Sequence, residues 1–226
     1  QEWRLEPLKG RLLRIVADLY ERDTPELLAL LAREAGKTLA DAINEIREAV
    51  DFLRYYADQS DMLSKNREAR GVAVCISPWN FPLAIFTGQI AASVGAGNAV
   101  LAKPAEQTSL VARKAIELWH EAGMPAELVQ LVLGAGAQQG NALVSHPDVN
   151  AVIFTGSTAT AKRIETALAQ NAAPDTLLVA ETGGLNAMIA DASALPEQVV
   201  KAVMASAFQS AGQRCSALRM LYVQRE

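Results

Sequence analysis

From Gly71 onward, short apolar runs alternate with longer helix-patterned stretches, and this alternation constrains the fold more than any other feature of the chain. Val72-Ala73-Val74-Cys75-Ile76, Ala99-Val100-Leu101-Ala102, Leu128 to Leu133, Val149 to Phe154 and Leu177-Leu178-Val179-Ala180 are short and apolar throughout. They read as strands buried on both faces of a sheet. Between them lie helix-patterned segments at Ala84 to Val94, Ser109 to Ala122, Gln138 to Val144 and Thr158 to Gln170. Gly95-Ala96-Gly97-Asn98 closes the first of these. One more helix is expected from Pro196 to Phe208, followed by an apolar run from Leu218 to Val223. Strands separated by helices pair in parallel through right-handed crossovers, so the expected fold is α/β, a doubly wound, Rossmann-like parallel sheet.

A different pattern precedes Gly71. More than half of the charged side chains fall in the first 70 residues, as amphipathic helices facing solvent require. Leu12, Leu13, Val16, Leu19 and Tyr20 recur at helical spacing. Thr24-Pro25 reads as an N-cap and first helical residue, opening a helix through Leu27, Leu28, Leu30 and Leu31 that ends at Gly36. Ile43, Ile46, Val50, Leu53 and Ala57 share one face of a longer third helix. All three are read as packing elements without chemistry of their own.

Composition narrows the function classes. The 226 residues carry a net charge of −4 with no basic block, which argues against a nucleic-acid partner. No apolar run reaches the length of a membrane span, and Gln1-Glu2-Trp3-Arg4 does not resemble a signal peptide. The 2 cysteines make no disulfide framework, which fits a reducing cytoplasm. His120 and His146 have no ligand-spaced neighbours, so no metal site is expected.

Ligands of open parallel sheets bind beyond the carboxyl ends of the strands. Polar or glycine-containing segments stand at such ends: Ser77-Pro78-Trp79-Asn80, Lys103-Pro104-Ala105-Glu106, Gly134-Ala135-Gly136, Phe154-Thr155-Gly156-Ser157 and Glu181-Thr182-Gly183-Gly184. The Gly134, Gly136, Gly140 spacing is one residue too long for the usual dinucleotide fingerprint. Thr155-Gly156-Ser157 turns directly from strand to helix, where a helix N-terminus and the Ser157 hydroxyl hold either a pyrophosphate or only a local cap. Lys103 and Glu106 are either solvated surface or ribose ligands, with Glu106 repelling a 2′-phosphate and so favouring NAD over NADP. Asn80 is a loop organiser or an oxyanion donor. Glu181 follows four apolar residues, and partial burial there would raise its pKa toward that of a general base; a turn-capping carboxylate is the alternative.

Cys215 stands apart from Cys75. It lies in the polar turn Gln209-Ser210-Ala211-Gly212-Gln213-Arg214-Cys215-Ser216, directly after a helical stretch. A nucleophilic thiol needs access and a neighbourhood favouring thiolate, which the turn and Arg214 can supply. A buried, inert thiol is the competing reading.

Taken together these segments resemble the aldehyde dehydrogenase superfamily. The resemblance rests on Pro78-Trp79-Asn80-Phe81-Pro82, Lys103-Pro104-Ala105-Glu106-Gln107-Thr108, Phe154-Thr155-Gly156-Ser157, Glu181-Thr182-Gly183-Gly184 and Gly212-Gln213-Arg214-Cys215, in that order. More narrowly, Ala180 to Met188 and Phe208 to Arg219 are similar to the L-glutamate-γ-semialdehyde (pyrroline-5-carboxylate) dehydrogenase part of the bifunctional proline utilization A family. The resemblance implies NAD-dependent oxidation of that aldehyde to L-glutamate in proline catabolism, through a Cys thiohemiacetal and thioester. Another aldehyde, or a catalytically incompetent NAD-binding piece, are the alternatives. It implies Cys215 as nucleophile, Glu181 as base, and Asn80 with the Cys215 backbone N–H as oxyanion donors. Ser77, Trp79, Lys103, Glu106, Gly156, Ser157, Thr182 and Gly183 would form the NAD site, and Arg214 and Ser216 would meet the substrate carboxylate.

The same resemblance implies a piece of a longer, homo-oligomeric protein fused to a flavin-dependent proline dehydrogenase module. Residues 1–70 would be helices of the cofactor domain, 71–184 its Rossmann-like core, and 185–226 the truncated start of a catalytic domain.

Overall fold

The computed structural model describes residues 8–63 and 68–225; the start Gln1-Glu2-Trp3-Arg4 lies outside the described residues. The chain divides into one unit ending at Glu181 and a second beginning at Thr182.

In the first unit, α1 (Lys9–Arg22), α2 (Thr24–Ala35) and α3 (Leu39–Met62) precede the sheet. Next come β1 (Val72–Ile76), α4 (Ala84–Gly95), β2 (Ala99–Lys103), α5 (Ser109–Glu121) and β3 (Val129–Leu131). The unit finishes with α6 (Asn141–Val144), β4 (Val149–Thr155), α7 (Thr158–Asn171) and β5 (Leu177–Glu181). The sheet is five-stranded, in the order β3-β2-β1-β4-β5, and every pairing is parallel. Strand side chains alternate between two cores, which is what doubly wound means physically. Cys75, Val100, Ala102 and Val129 pack with α1 to α5. Val74, Val152 and Phe154 pack with Val144, Ile164 and Leu168 of α6 and α7. No described helix is long and apolar enough to cross a membrane.

The larger core is stitched by a buried polar contact. The Tyr20 hydroxyl accepts from Trp119 Nε1 (3.1 Å) and shares a hydrogen bond with Thr87 Oγ1 (3.0 Å), joining α1, α5 and α4. Complete burial pushes the Tyr20 pKa up to about 12, so it stays a neutral donor and acceptor.

Several expected boundaries move. Thr24 lies inside α2 rather than at its N-cap; its Oγ1 donates to Tyr20 O (3.2 Å), and Asp23 occupies the cap position. Pro25 and the left-handed Gly36 mark the two ends of that helix. The strand expected from Leu128 to Leu133 shortens to β3, an edge strand with one neighbour. The helix expected from Gln138 to Val144 is a wide turn over Gly136–Gly140 followed by the single turn of α6.

The second unit contains β6 (Asn186–Ala190), α8 (Pro196–Phe208) and β7 (Leu218–Val223), with β6 and β7 paired in parallel. β6 is a strand that the sequence reading did not anticipate. Its two alanines and its adjacency to Gly183-Gly184 give it weak strand character, and pairing with β7 supplies the rest.

Asp23 ties α1, α2 and α5 together. It accepts from Arg22 Nε (2.6 Å) and lies 2.7 Å from Lys114 Nζ. Hydrogen bonds from Arg22 and then Lys114 hold its pKa down at about 2, against an ordinary 3.8. A depressed carboxylate pKa adds stability above the unfolded value, and this is lost as pH falls through the folded value. Asp23→Asn should therefore lower the urea midpoint at pH 7 and flatten its fall between about pH 4 and pH 2. An unchanged midpoint and pH profile in that variant would remove Asp23 from the stabilising network.

Candidate active site

The sheet order places a topological switch point between β1 and β4. The chain moves outward from β1 through β2 to β3, then returns to β4 and proceeds to β5 on the other side. The crevice beyond the carboxyl ends at such a point is where doubly wound sheets hold ligands. Strand register brings the expected residues to that edge, since Ile76 pairs with Lys103 and with Phe154, and Thr155 pairs with Glu181. The segments Ser77–Asn80, Lys103–Glu106, Gly156-Ser157 and Glu181 thus leave the sheet side by side.

Each has a definite environment. Ser77 is buried, and its Oγ has no hydrogen-bond partner among the described residues. Trp79 is 44% exposed, and Asn80 follows it on a segment with no helix or strand of its own. Lys103 is only 3% exposed and donates to Pro104 O (3.1 Å). Burial lowers its pKa, opposed by the nearby Glu106 charge. Glu106 Oε2 accepts from Gly136 N (2.8 Å), so this carboxylate braces the loop after β3. Lys103 is thus not the solvated surface charge that one sequence reading allowed, whereas Glu106 is exposed and held by its bond to Gly136 N.

Ser157 caps α7, its Oγ accepting from Thr160 N (3.2 Å). Gly156 permits a close approach, because a Cβ there would lie 2.6 Å from Cζ of the buried Phe154. The competing Gly134 to Gly140 segment leads only into the four-residue α6, too short to present a helix N-terminus. Glu181 is exposed in this unit, contrary to the burial expected from its apolar neighbours. The exposure is shared by most of β5, whose burial pattern leaves Leu177, Val179, Ala180 and Glu181 exposed, so no covering lies over that strand in this unit.

Gln89 completes the crevice and was not anticipated. From α4 its Nε2 donates to Ile76 O (3.3 Å) and Thr155 Oγ1 (3.0 Å), spanning β1 and β4. Its Oε1 is buried without a partner among the described residues. The available signal was one amide in a helix without charged residues. Together, the partnerless Ser77 Oγ and Gln89 Oε1 give the crevice unmet hydrogen-bonding capacity of the kind a polar ligand fills.

In the second unit, Cys215 is an exposed free thiol, whereas Cys75 is buried. Burial pushes the Cys75 pKa up to about 12, which makes that thiol inert. Cys215 follows a strained turn: Ser210 and Ala211 both have φ 53°, and Gly212 has φ 67°. Left-handed conformations at non-glycine residues persist where surroundings over-determine them, often at functional sites. At Gly212 a Cβ would sit 2.8 Å from Ala207 O, so glycine is required there. Asn186 on β6 holds the following segment, its Nδ2 donating to Cys215 O (2.7 Å) and Ala217 O (2.9 Å). Arg214 Nη2 donates to Ala205 O and Ser206 O (both 3.1 Å), near the end of α8. Ser216 is exposed, and Thr182 and Gly183 lie in the segment before β6. No group of three or more His, Cys, Asp or Glu side chains among the described residues is arranged to hold a metal ion.

The sequence model of the aldehyde dehydrogenase family matches residues 1–226. The chain belongs to the aldehyde dehydrogenase family. It is 54% identical over 223 residues to the bifunctional protein PutA of Klebsiella aerogenes, a match covering 96% of this chain and 17% of that protein. It is 40% identical over 236 residues to the 1-pyrroline-5-carboxylate dehydrogenase of Bacillus mycoides, covering 96% of this chain and 46% of that protein. A crystal structure of a mutant Bradyrhizobium japonicum proline utilization A (PutA) matches with a TM-score of 0.93 and 53% identity, over 96% of this chain and 24% of that one. The chain spans less than half the length of each of these aldehyde dehydrogenase relatives. The parallel-sheet α/β architecture expected from sequence is the family's own.

The Gly156 approach makes a direct test of the crevice packing. Gly156→Ala should force the buried Phe154 ring to shift and cost about 1–3 kcal/mol, read as a lower denaturation midpoint. Ser157→Ala should cost about 1 kcal/mol through the lost cap. A Gly156→Ala protein with the parental midpoint would show that the ring yields freely.

Proposed function

We propose that this chain forms the cofactor-binding and nucleophile-bearing part of an NAD-dependent dehydrogenase. On this reading the enzyme oxidises L-glutamate γ-semialdehyde, the open form of pyrroline-5-carboxylate, to L-glutamate in proline catabolism. One observation carries the reading: the residues of four strand ends converge on the switch-point crevice of the first unit. The exposed thiol on its strained turn adds the chemistry. The names of the PutA and 1-pyrroline-5-carboxylate dehydrogenase relatives point to the substrate.

The crevice suits a dinucleotide. Ser77 Oγ and Gln89 Oε1 offer unmet polar capacity, and α7 offers a capped N-terminus beside Gly156. Ser77, Trp79, Lys103, Glu106, Gly156, Ser157, Thr182 and Gly183 would hold NAD. The Glu106 carboxylate, fixed against Gly136 N, favours NAD over a 2′-phosphorylated cofactor by charge repulsion.

The Cys215 thiolate adds to the aldehyde carbon, forming a thiohemiacetal. Asn80 Nδ2 and the Cys215 backbone N–H hold its oxyanion. Bound NAD supplies the hydride acceptor that lets the carbon reach the thioester level. Glu181 then takes a proton from water as the water attacks the thioester. The C–S bond breaks, L-glutamate leaves, and the thiolate is restored. An exposed position on an edge strand leaves Glu181 open to that water. Ser216, with the Arg214 N–H groups not donated to α8, would meet the substrate carboxylate. A reducing cytoplasm keeps this thiol free, and the longer protein is proposed to be a homo-oligomer carrying a flavin-dependent proline dehydrogenase module.

The full-length protein, given pyrroline-5-carboxylate and NAD, tests these roles separately. Cys215→Ala should abolish NADH formation. Glu181→Gln should keep a stoichiometric first burst of NADH and lose at least about 100-fold in steady-state rate. Turnover surviving in Cys215→Ala would sink the covalent route, and an unaltered steady state in Glu181→Gln would sink the base assignment.

A further inference from the structure

Glu45 is the least exposed carboxylate among the described residues, 1% accessible, and it lies on α3 among side chains that serve packing. Its Oε1 accepts from Leu83 N (2.9 Å) and Ala84 N (3.3 Å), across to the start of α4. Its Oε2 lies 2.9 Å from Lys37 Nζ, an ion pair without the alignment of a hydrogen bond. The same ammonium stands 4.0 Å from the centroid of the Phe81 ring. Leu83, at the N-cap of α4, has no side-chain cap of its own. Glu45 supplies that cap from another helix, and its charge complements the positive end of the α4 dipole.

These contacts bracket Asn80. On one side, Phe81 lies under the Lys37 ammonium and Leu83-Ala84 are held by Glu45. Pro82 between them fixes one more backbone angle. On the other side, Ser77 N donates to Lys103 O (3.1 Å), locking the exit from β1. Only Pro78 and Trp79 separate that lock from Asn80. Stability alone does not call for the ion pair, because well-packed apolar side chains do as well or better than buried charges. What a carboxylate adds is two fixed acceptors for two adjacent backbone N–H groups. That holds a loop in one geometry, as a donor must be held to act on charge developing in a transition state.

We propose that the buried Lys37–Glu45 pair is a positioning device for Asn80, fixing the loop that carries its amide toward the oxyanion. The inference rests on the assignment of Asn80 as oxyanion donor. Neither Lys37 nor Glu45 touches substrate in this scheme. Glu45 acts through the Leu83 and Ala84 backbone, and Lys37 through the Phe81 ring.

A double-mutant cycle in the full-length protein, with pyrroline-5-carboxylate and NAD, tests it. Asn80→Ala should lower kcat about 100-fold, the usual loss for one oxyanion donor. Glu45→Gln should lower kcat about tenfold while KM for NAD stays within about twofold, because the charge acts on the loop and not on the cofactor. The double variant should be no slower than Asn80→Ala alone, since a positioning residue has nothing left to position. Iodoacetamide should alkylate Cys215 of the Glu45→Gln protein at the parental rate. A double variant that loses the product of the two single effects, or an altered alkylation rate, would overturn the proposal in favour of general loosening. A silent Glu45→Gln beside a crippled Asn80→Ala would overturn it alone, whereas a silent Asn80→Ala would remove the oxyanion assignment itself. If the unpaired Lys37 prevents folding of Glu45→Gln, Phe81→Leu keeps the ion pair and removes only the ring contact. It should lower kcat several-fold with the same non-additivity, and strict additivity there would equally overturn the idea.

Discussion

A full negative charge in the interior is the constraint around which the first unit is arranged. Removing water from a carboxylate costs several kcal/mol, roughly, unless ammonium and amide partners replace it. Glu45 recovers that cost through Lys37 on one oxygen and the Leu83 and Ala84 amides on the other. The three partners come from the α2–α3 connection and the entry to α4, so α3, that connection and the first βα loop of the sheet must assemble together. Losing one member of such a pair costs about 3–5 kcal/mol, which ties the N-terminal helices to the crevice as tightly as apolar packing does.

The crevice has its own internal brace. Wherever a doubly wound sheet reverses direction, two neighbouring strands send their loops to opposite sides and leave a gap. Gln89 bridges that gap from below, bonding the last carbonyl of β1 and the hydroxyl of Thr155 at the end of β4. The gap is thereby given a fixed width and a polar floor. Glu106 performs a comparable task at the rim, where its bond to Gly136 N ties the loop after β2 to the loop after β3. Gln89 thus serves as a strut through its Nε2 and Glu106 through its Oε2.

Much of this was legible from residue order because strands buried on both faces leave a strong signal. β1, α8 and β7 appear at the expected boundaries, and the helices of the sheet region differ mainly at their ends. The less legible features share a cause: they depend on partners distant in sequence. Lys37 and Glu45 sit in a charge-rich amphipathic stretch, where nothing local distinguishes a buried ion pair from a solvated one. β6 owes its existence to β7, some thirty residues later. Ser210 and Ala211 carry no preference for left-handed backbone, so the strained approach to Cys215 is visible only once α8 and Asn186 are in place. Glu181 shows the converse error, where apolar neighbours suggested burial but those neighbours are themselves largely exposed on β5.

The parallel pairing of β6 and β7 also sets an order in time. Asn186 is made long before the carbonyls of Cys215 and Ala217 that it fastens, and β6 has no strand partner until β7 emerges. A parallel pair closes only after its whole crossover has been synthesised and folded back. During synthesis, then, the sheet of the first unit can form while the thiol still travels on an unanchored chain. The Asn186 bonds that fasten the Cys215 turn can form only once β7 has been made, and until then the turn has no fixed place.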